Sequence, residues 1–153
     1  MHADDGTLLP RSLPEICENI RDFVVVEDDE HRIVGCGALH LYGTHLAEVR
    51  SIAVRDDARG HSAGARVVQG LLTEAHRHHV ASVCLFTRIP EYFAKLGFHS
   101  VPLSDLPDKI YKDCLKCPKL NACDEVAMVK GEVPKMTILQ QARLFARPVM
   151  ARL

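Results

Sequence analysis

This chain has no long apolar run. The longest are short, such as Phe23 to Val26, against the roughly 20 residues that a membrane-spanning helix needs. Neither sign of charge is in excess. Nineteen Lys and Arg face twenty Asp and Glu, for a formal net charge of −1, which removes the electrostatic case for nucleic acid or a membrane surface as partner. The N-terminus, MHADDG, is acidic and lacks the apolar core of a secretion signal, so a cytoplasmic location is expected. In that compartment the six cysteines are read as reduced thiols. No internal repeat is visible, which excludes a repeat array. What remains is ordinary. The 153 residues, 47% hydrophobic and 25% charged, suit one globular domain that buries roughly two thirds of its unfolded surface.

The informative stretch is Glu48 to Ala65, EVRSIAVRDDARGHSAGA. Alternating Val49, Ile52 and Val54 predict a buried strand. A polar turn follows at Asp56 to Arg59, and a helical pattern starts near Ser62. The turn reads Arg-Gly-His-Ser-Ala-Gly. Small residues let backbone N–H groups approach an anion, and the helix N-terminus adds partial positive charge. Strand, turn and helix in this order make a pyrophosphate cradle. Read blandly, the same order is a plain strand–turn–helix connection, because a lone glycine motif is weak.

The rest of the chain alternates elements. Leu13 to Arg21 is expected to be a helix, with Ser12 as N-cap and Glu15 at capping-box spacing. Phe23 to Glu27, Arg32 to Leu41 and Ala47 to Val54 suggest an antiparallel meander. Ser62 to His79 is the longest helix, with Ala65, Val68, Leu71, Leu72 and Ala75 at three- and four-residue spacing. Ser82 to Phe86 is a strand brought beside the third by that helix. Glu91 to Leu96 is a short helix ended by Gly97. Phe98 to Val101 and Glu125 to Lys130 are strands, and Asp105 to Asn121 is loop and broken helix. Residues 1–130 form the domain. Residues 131–153 form a tail read as an amphipathic helix, with Ile138, Leu139, Ala142 and Phe145 on one side.

The order R-G-x-x-x-G after "xIAV" resembles the acetyl-coenzyme A loop of GNAT-type N-acetyltransferases. Four further pieces match in order: GTLLPRS at Gly6 to Ser12, VGCGAL at Val34 to Leu39, LFTRIPEYFAKLGF at Leu85 to Phe98, and KCPKLNACDEVAMV at Lys116 to Val129. Together, over Gly6 to Lys130, they look like the acetyltransferase domain of bacterial N-acetylglutamate synthase in its short form, without an amino-acid kinase domain. The resemblance implies the GNAT fold, an α/β (α+β) domain whose mixed, mostly antiparallel sheet is flanked by helices. It also implies an enzyme that transfers acetyl from acetyl-coenzyme A to the α-amine of L-glutamate, the first step of arginine biosynthesis. Two departures stand out. Only eight residues precede Leu9, too few for the strand and helix that usually come first. Either the start is truncated or the tail after Gly131 supplies replacement surface, with a homodimer expected. The second departure is Ser62, where glycine is common. Serine fits if φ stays negative, and its hydroxyl then caps the helix.

The resemblance assigns the coenzyme to Ile52, Ala53, Val54, Arg59, Gly60, His61, Ser62, Ala63, Gly64 and Ala65. An oxyanion donor is expected among the backbone N–H groups of Ile52 to Val54, where the superfamily's strands splay. Forming an amide from a thioester calls for a free amine, a stabilised oxyanion and a proton for the thiolate. Glu48 matches a glutamate thought to act as base; otherwise it is a solvated carboxylate paired with Arg50 or Arg88. The acid is open between Thr87 and Ser51, since Phe93 stands where the superfamily often has tyrosine and Tyr92 lies one step off.

A dicarboxylate acceptor requires fixed cations, and arginine's fork suits a carboxylate. Arg11 matches the family's glutamate-binding arginine, and Leu9 and Ser51 match its neighbours. The kinase-fused forms carry a second arginine and a serine at about Ala122 and Asp124, so that contact is missing here, and Arg88, Lys119 and Arg50 are the candidates to replace it. No metal is expected. Cys114, Cys117 and Cys123 lack a second pair for zinc and are read first as packing thiols. His76, His78 and His79 read as a helix end. Acetylation of another small amine, or a non-catalytic coenzyme A-binding module, are the alternatives.

Overall fold

The computed structural model describes residues 11–60, 62–112, 114–117 and 122–132. In chain order the elements are α1 (Leu13–Glu18), β1 (Phe23–Glu27), β2 (Ile33–Leu41), β3 (Ala47–Val54), α2 (Ala63–Arg77), β4 (Val83–Thr87), α3 (Pro90–Ala94), β5 (His99–Ser100), α4 (Pro107–Lys112) and β6 (Val126–Lys130). Among the described residues the six strands make one sheet in the order β1-β2-β3-β4-β6-β5. Every neighbouring pair is antiparallel except β3 and β4. That exception follows from α2, which returns the chain so that β4 runs alongside β3. The predicted meander and crossover are both present.

The long helix lies where its apolar spacing predicts, trimmed by one residue at the start and two at the end. Val67, Val68 and Leu71 are its most deeply buried side chains, joined by Ala63 and Ala75. Each of the larger ones contributes on the order of 1.5–3 kcal/mol by leaving water. α2 sits close on β2. A Cβ built on Gly37 would lie 2.8 Å from Val67 Cγ1 and 2.9 Å from Leu71 Cδ1. Glycine in VGCGAL is therefore a spacing device.

The first helix is shorter than its expected span. Ser12 and Glu15 form the capping box, but the helix ends at Glu18 and a 3-10 turn covers Ile20–Asp22. None of its residues is buried, so little tertiary packing extends it. The strand expected at Phe98 to Val101 shrinks to His99–Ser100, and β6 starts at Val126 rather than Glu125. The short helix begins at Pro90, a residue suited to a first turn, and stops before Gly97, whose φ is +88°. The expected tail helix falls almost wholly outside the described residues.

The sheet has two unlike faces. Toward α2 lies the main core, with Val49, Leu85, Met128, Phe93 and Phe98. On the other face lies a smaller cluster of Leu46, Cys84, Leu106, Ala127 and Val129. Phe23, Ala38, His40, Glu48 and Arg50 share that second face, because each is linked to the next by strand register or by two-residue spacing.

Candidate active site

The cradle begins where β3 ends. A 3-10 turn at Asp56–Ala58 leads to Gly60, with φ +82°, and to Ser62, with φ +59°. The expectation for Ser62 is corrected here. It adopts the left-handed conformation and makes no side-chain cap bond, because the left-handed turn swings its hydroxyl away from the N–H groups that a cap would meet. The consequence suits an anion. The first N–H groups of α2, at Ala63 to Ala65, have no acceptor within the helix, no Ser62 hydroxyl claims them, and no acidic residue sits in the first turn. A Cβ on Gly64 would meet the Tyr92 hydroxyl at 3.0 Å, whereas one on Gly60 meets nothing within 4 Å. Arg59 is exposed and pairs with Asp56 at 2.9 Å. His61 lies outside the described residues.

Beside the cradle the sheet opens. β3 pairs with β4 only at Ala47–Val83 and Glu48–Cys84. Past Glu48 the parallel ladder stops, as a splay requires. A bulge coincides with it. Ala38 faces Arg50 and Cys36 faces Ala53, so Gly37 alone stands against Ser51 and Ile52. Ser51 takes φ +56°, an uncommon conformation for a side-chain-bearing residue. The Arg55 N–H bonds to Val34 O at 2.9 Å and therefore faces β2. Alternation along a strand turns the Ile52 and Val54 N–H groups the other way, to the splayed edge.

Glu48 stands at the root of the splay. It is 3% exposed, so it is not a solvated carboxylate, and its partners are neither Arg50 nor Arg88. Lys109 Nζ donates to Oε1 at 2.7 Å, and the Tyr42 hydroxyl donates to Oε2 at 2.6 Å. The Lys109 ammonium also lies 5.0 Å from the centre of the Phe86 ring, a cation–π distance. Next to it, His45 Nε2 and Asp108 Oδ2 are 3.1 Å apart. Burial, with the Glu48 carboxylate adding to it, pushes the Cys84 thiol far above the ordinary thiol range. That thiol is a neutral backing group rather than a nucleophile.

Arg11 and Ser51, forty positions apart, meet: Arg11 Nε donates to Ser51 Oγ at 3.2 Å. They line a small cleft with Glu15, Asp22, Phe23 and Arg50. Arg88 is placed differently, in an ion pair with Asp124 at 2.8 Å. Leu9 and Lys119 lie outside the described residues. Thr87 is buried and its Oγ1 accepts the Ile89 N–H at 3.0 Å. Tyr92, one step off the superfamily's tyrosine position, reaches Gly64, while Phe93 fills the core. Burial raises the Tyr92 phenol. Among the described residues no group of three or more His, Cys, Asp or Glu is arranged to hold a metal ion.

Two residues at Glu48 escaped sequence reasoning. Tyr42 was within reach of it. His40 pairs with Glu48, so Tyr42 is the diagonal neighbour across the hairpin. Lys109 was not, because it arrives from α4, sixty-one positions away, and no spacing rule joins the two.

The acetyltransferase (GNAT) domain family matches residues 19–100. An uncharacterized N-acetyltransferase of Chlorobaculum tepidum, CT2212, is 37% identical over 129 residues, covering 84% of this chain and 83% of that protein. The chain therefore belongs to the GNAT acetyltransferase family, whose members take acetyl from acetyl-coenzyme A, and it is an enzyme. Within that class it is similar to amino-acid acetyltransferases. One from Mycobacterium tuberculosis is 31% identical over 108 residues, 69% of this chain and 62% of that protein. The crystal structure of Rv2747 from Mycobacterium tuberculosis, in complex with CoA and NLQ, superposes with a TM-score of 0.69 at 26% identity, covering 82% of this chain and 84% of that one. N-acetylglutamate synthase from Neisseria gonorrhoeae, complexed with coenzyme A and N-acetyl-glutamate, shares the fold with a TM-score of 0.74 at 24% identity, covering 84% of this chain and 30% of that one. Among the described residues no helix is long and apolar enough to cross a membrane.

Proposed function

We propose that this enzyme acetylates the α-amine of L-glutamate by direct attack on acetyl-coenzyme A, the reaction that opens arginine biosynthesis. The observation that carries the reading is the Arg11–Ser51 contact on the same sheet face as Glu48. It puts a carboxylate-binding fork along β3 from a buried carboxylate, at the mouth of a splayed strand pair. Support also comes from amino-acid acetyltransferases among the relatives and from the N-acetyl-glutamate complex of a protein with the same fold.

The coenzyme supplies an acetyl thioester and a thiolate leaving group. The N–H groups of Ala63 to Ala65 and the glycines of the cradle hold its pyrophosphate. The acceptor's ammonium gives one proton to Glu48, directly or through water. Its nitrogen then forms the new C–N bond as the C–S bond breaks. The second amine proton leaves with the thiolate, and the proton on Glu48 returns to water. The Ile52 and Val54 N–H groups face the developing oxyanion. A donor of this kind is intracellular, so the reading carries a cytoplasmic location.

A second reading is a different small amine as acceptor. It is favoured by Arg88, which pairs with Asp124 instead of lining the Arg11 cleft. Transfer of acetyl to a panel of amino acids and small amines separates the two, with glutamate ahead of glutamine and aspartate on the first reading. Arg11→Leu should raise KM for glutamate roughly 30- to 150-fold, about 2–3 kcal/mol for a charge-assisted contact, with coenzyme A binding intact. Arg11→Lys should recover part of it. Glutamine matching glutamate in kcat/KM, or an unmoved KM in Arg11→Leu, would defeat the two-carboxylate reading.

A further inference from the structure

We infer that the Tyr92 hydroxyl is a coenzyme contact that hydrogen-bonds a phosphate oxygen of the diphosphate, adding a side-chain donor from α3 to the backbone donors of α2. The inference rests on the reading of the α2 turn as the diphosphate cradle and deepens it.

Tyr92 stands where such a donor is useful. Its hydroxyl lies against Gly64, so close that a Cβ there would meet it at 3.0 Å. Gly64 is in the first turn of α2, among the N–H groups that have no acceptor within the helix. Glycine serves there for room rather than for conformation. Its φ is not positive, and glycine inside a helix is less favourable than alanine. The room lets the hydroxyl approach the turn. The Tyr92 ring is held in place: it stands edge-on to Phe93 at 5.1 Å, a core residue, and the Tyr92 N–H bonds to Ile89 O at 3.1 Å. Yet 37% of the residue is exposed, so a ligand in the cradle can touch it. Among the described residues no hydrogen bond engages the hydroxyl. A tyrosine fixed by its ring and open at its oxygen has a donor to offer.

Distance decides which part of the coenzyme Tyr92 meets. The same point on Gly64 is 3.7 Å from Val54 Cγ2, at the end of β3 away from Glu48. From Glu48 to Val54 the strand spans roughly 20 Å at strand rise. Acetyl transfer is assigned to the Glu48 end, so Tyr92 is too far away to give the thiolate its proton. The pantetheine arm separates the thiol from the diphosphate, and an extended arm along the splay leaves the phosphates beside Tyr92. A phosphate also suits the surroundings. The first turn of α2 presents N–H groups and partial positive charge and holds no acidic residue. The hydroxyl keeps its proton, since burial raises the phenol. It therefore donates to an anion instead of competing with that anion for the N–H groups. A hydrogen bond to a charged oxygen is stronger than one to a neutral acceptor.

Two acetyl donors separate this role from its rivals, because S-acetylpantetheine carries the thioester without the diphosphate. Coenzyme A binding is measured by calorimetry for wild type and Tyr92→Phe, and turnover is measured with both donors on whichever amine serves best. Tyr92→Phe should bind coenzyme A about 10-fold more weakly, for the loss of one hydrogen bond to a charged group. KM for acetyl-coenzyme A should rise by a similar factor while kcat is kept. With S-acetylpantetheine, kcat/KM should be equal in the two proteins. The melting temperature should not move, since phenylalanine retains the ring contact with Phe93. A fall in kcat with both donors would put the hydroxyl at the thioester and overturn the inference. Equal coenzyme A affinity in the two proteins would overturn it too, as would a loss that S-acetylpantetheine shares, the mark of a packing role. The cradle itself is checked by Gly64→Glu. If that variant loses coenzyme A affinity while Tyr92→Phe does not, only the role of Tyr92 falls. If Gly64→Glu binds coenzyme A like wild type, the cradle reading falls and Tyr92 with it.

Discussion

The two faces of the sheet are built by different rules. The face under α2 is apolar and regular: Val67, Val68 and Leu71 press on β2 and β3, and the first N–H groups of that helix have no acceptor within it. The opposite face carries charge to its floor, with Glu48, Lys109, His45 and Asp108 all largely buried. On the proposed reading one face binds the coenzyme with backbone, whose placement follows from secondary structure. The other binds the acceptor with side chains from distant parts of the chain, Arg11 ahead of α1 and Glu48 on β3. Damage to the first should therefore appear in stability or coenzyme affinity, and damage to the second in turnover and acceptor choice.

The sharpest break should come at Glu48. Glu48→Gln keeps the shape and the Tyr42 contact but removes the proton acceptor. It should lower kcat about 10²- to 10⁴-fold, with little movement of KM for acetyl-coenzyme A. The loss should shrink at high pH, where free amine is abundant. Steady-state rates across pH check this. Near wild-type turnover at neutral pH would make the polar face a structural feature.

The same size of effect, moved to a different observable, is expected at the cradle. Gly64→Glu brings bulk and negative charge to a point 3.0 Å from the Tyr92 hydroxyl and beside the helix N-terminus. Coenzyme A affinity should fall by about 100-fold, some 2.7 kcal/mol, combining a lost phosphate contact with like-charge repulsion. Thermal stability should hardly change. Calorimetry that finds coenzyme A bound as before would remove the pyrophosphate from this turn.

These contrasts also explain what the sequence alone disclosed. α2 was readable because its apolar residues recur every three or four positions, and the β1–β2–β3 meander because polar turns break alternating strands. The cradle was readable as contiguous small residues. Its detail was not: Ser62 bears a Cβ yet goes left-handed, a tertiary choice that serine's own preferences oppose. Arg11 and Ser51 were named separately through the resemblance, and only folding across forty positions joined them. Lys109 carries no local mark at all. A lysine near the start of a short helix after Pro107 usually reads as solvated, and its burial against Glu48 and Phe86 exists only once α4 has docked. Buried ion pairs between distant elements leave no periodic trace.

On the apolar face the expected effect is on stability alone. Gly37→Ala would put a methyl 2.8–2.9 Å from Val67 and Leu71, closer than carbon contacts allow. Overpacking of this kind costs about 1–3 kcal/mol, because α2 must lift or two side chains must leave their rotamers. Denaturant unfolding should show that loss, while the glutamate-to-glutamine ratio of surviving activity stays put. If the ratio changes, the two faces are coupled through β2, and the division drawn between them is too clean.

The smallest effect tests how dry the charged face is at its base. Cys84 is fully buried, opposite Glu48 in register, and burial is the main cause of its raised thiol value. The sign follows from which state holds the proton more tightly. The folded chain keeps it, while the unfolded chain releases it near pH 8.5. Stability from this thiol is therefore complete below that value and declines as pH rises above it, by about 1.4 kcal/mol per unit at most. Between pH 8 and pH 10 wild type should lose about 1–2 kcal/mol more than Cys84→Ala, whatever constant cost the truncation itself carries. Cys36, whose thiol is also raised by burial, contributes equally to both proteins and cancels. Urea unfolding of the two at each pH provides the comparison. Parallel pH profiles would mean that water reaches Cys84 and screens it. The neighbouring Glu48–Lys109 pair would then be solvated too, and removing either partner would be felt weakly.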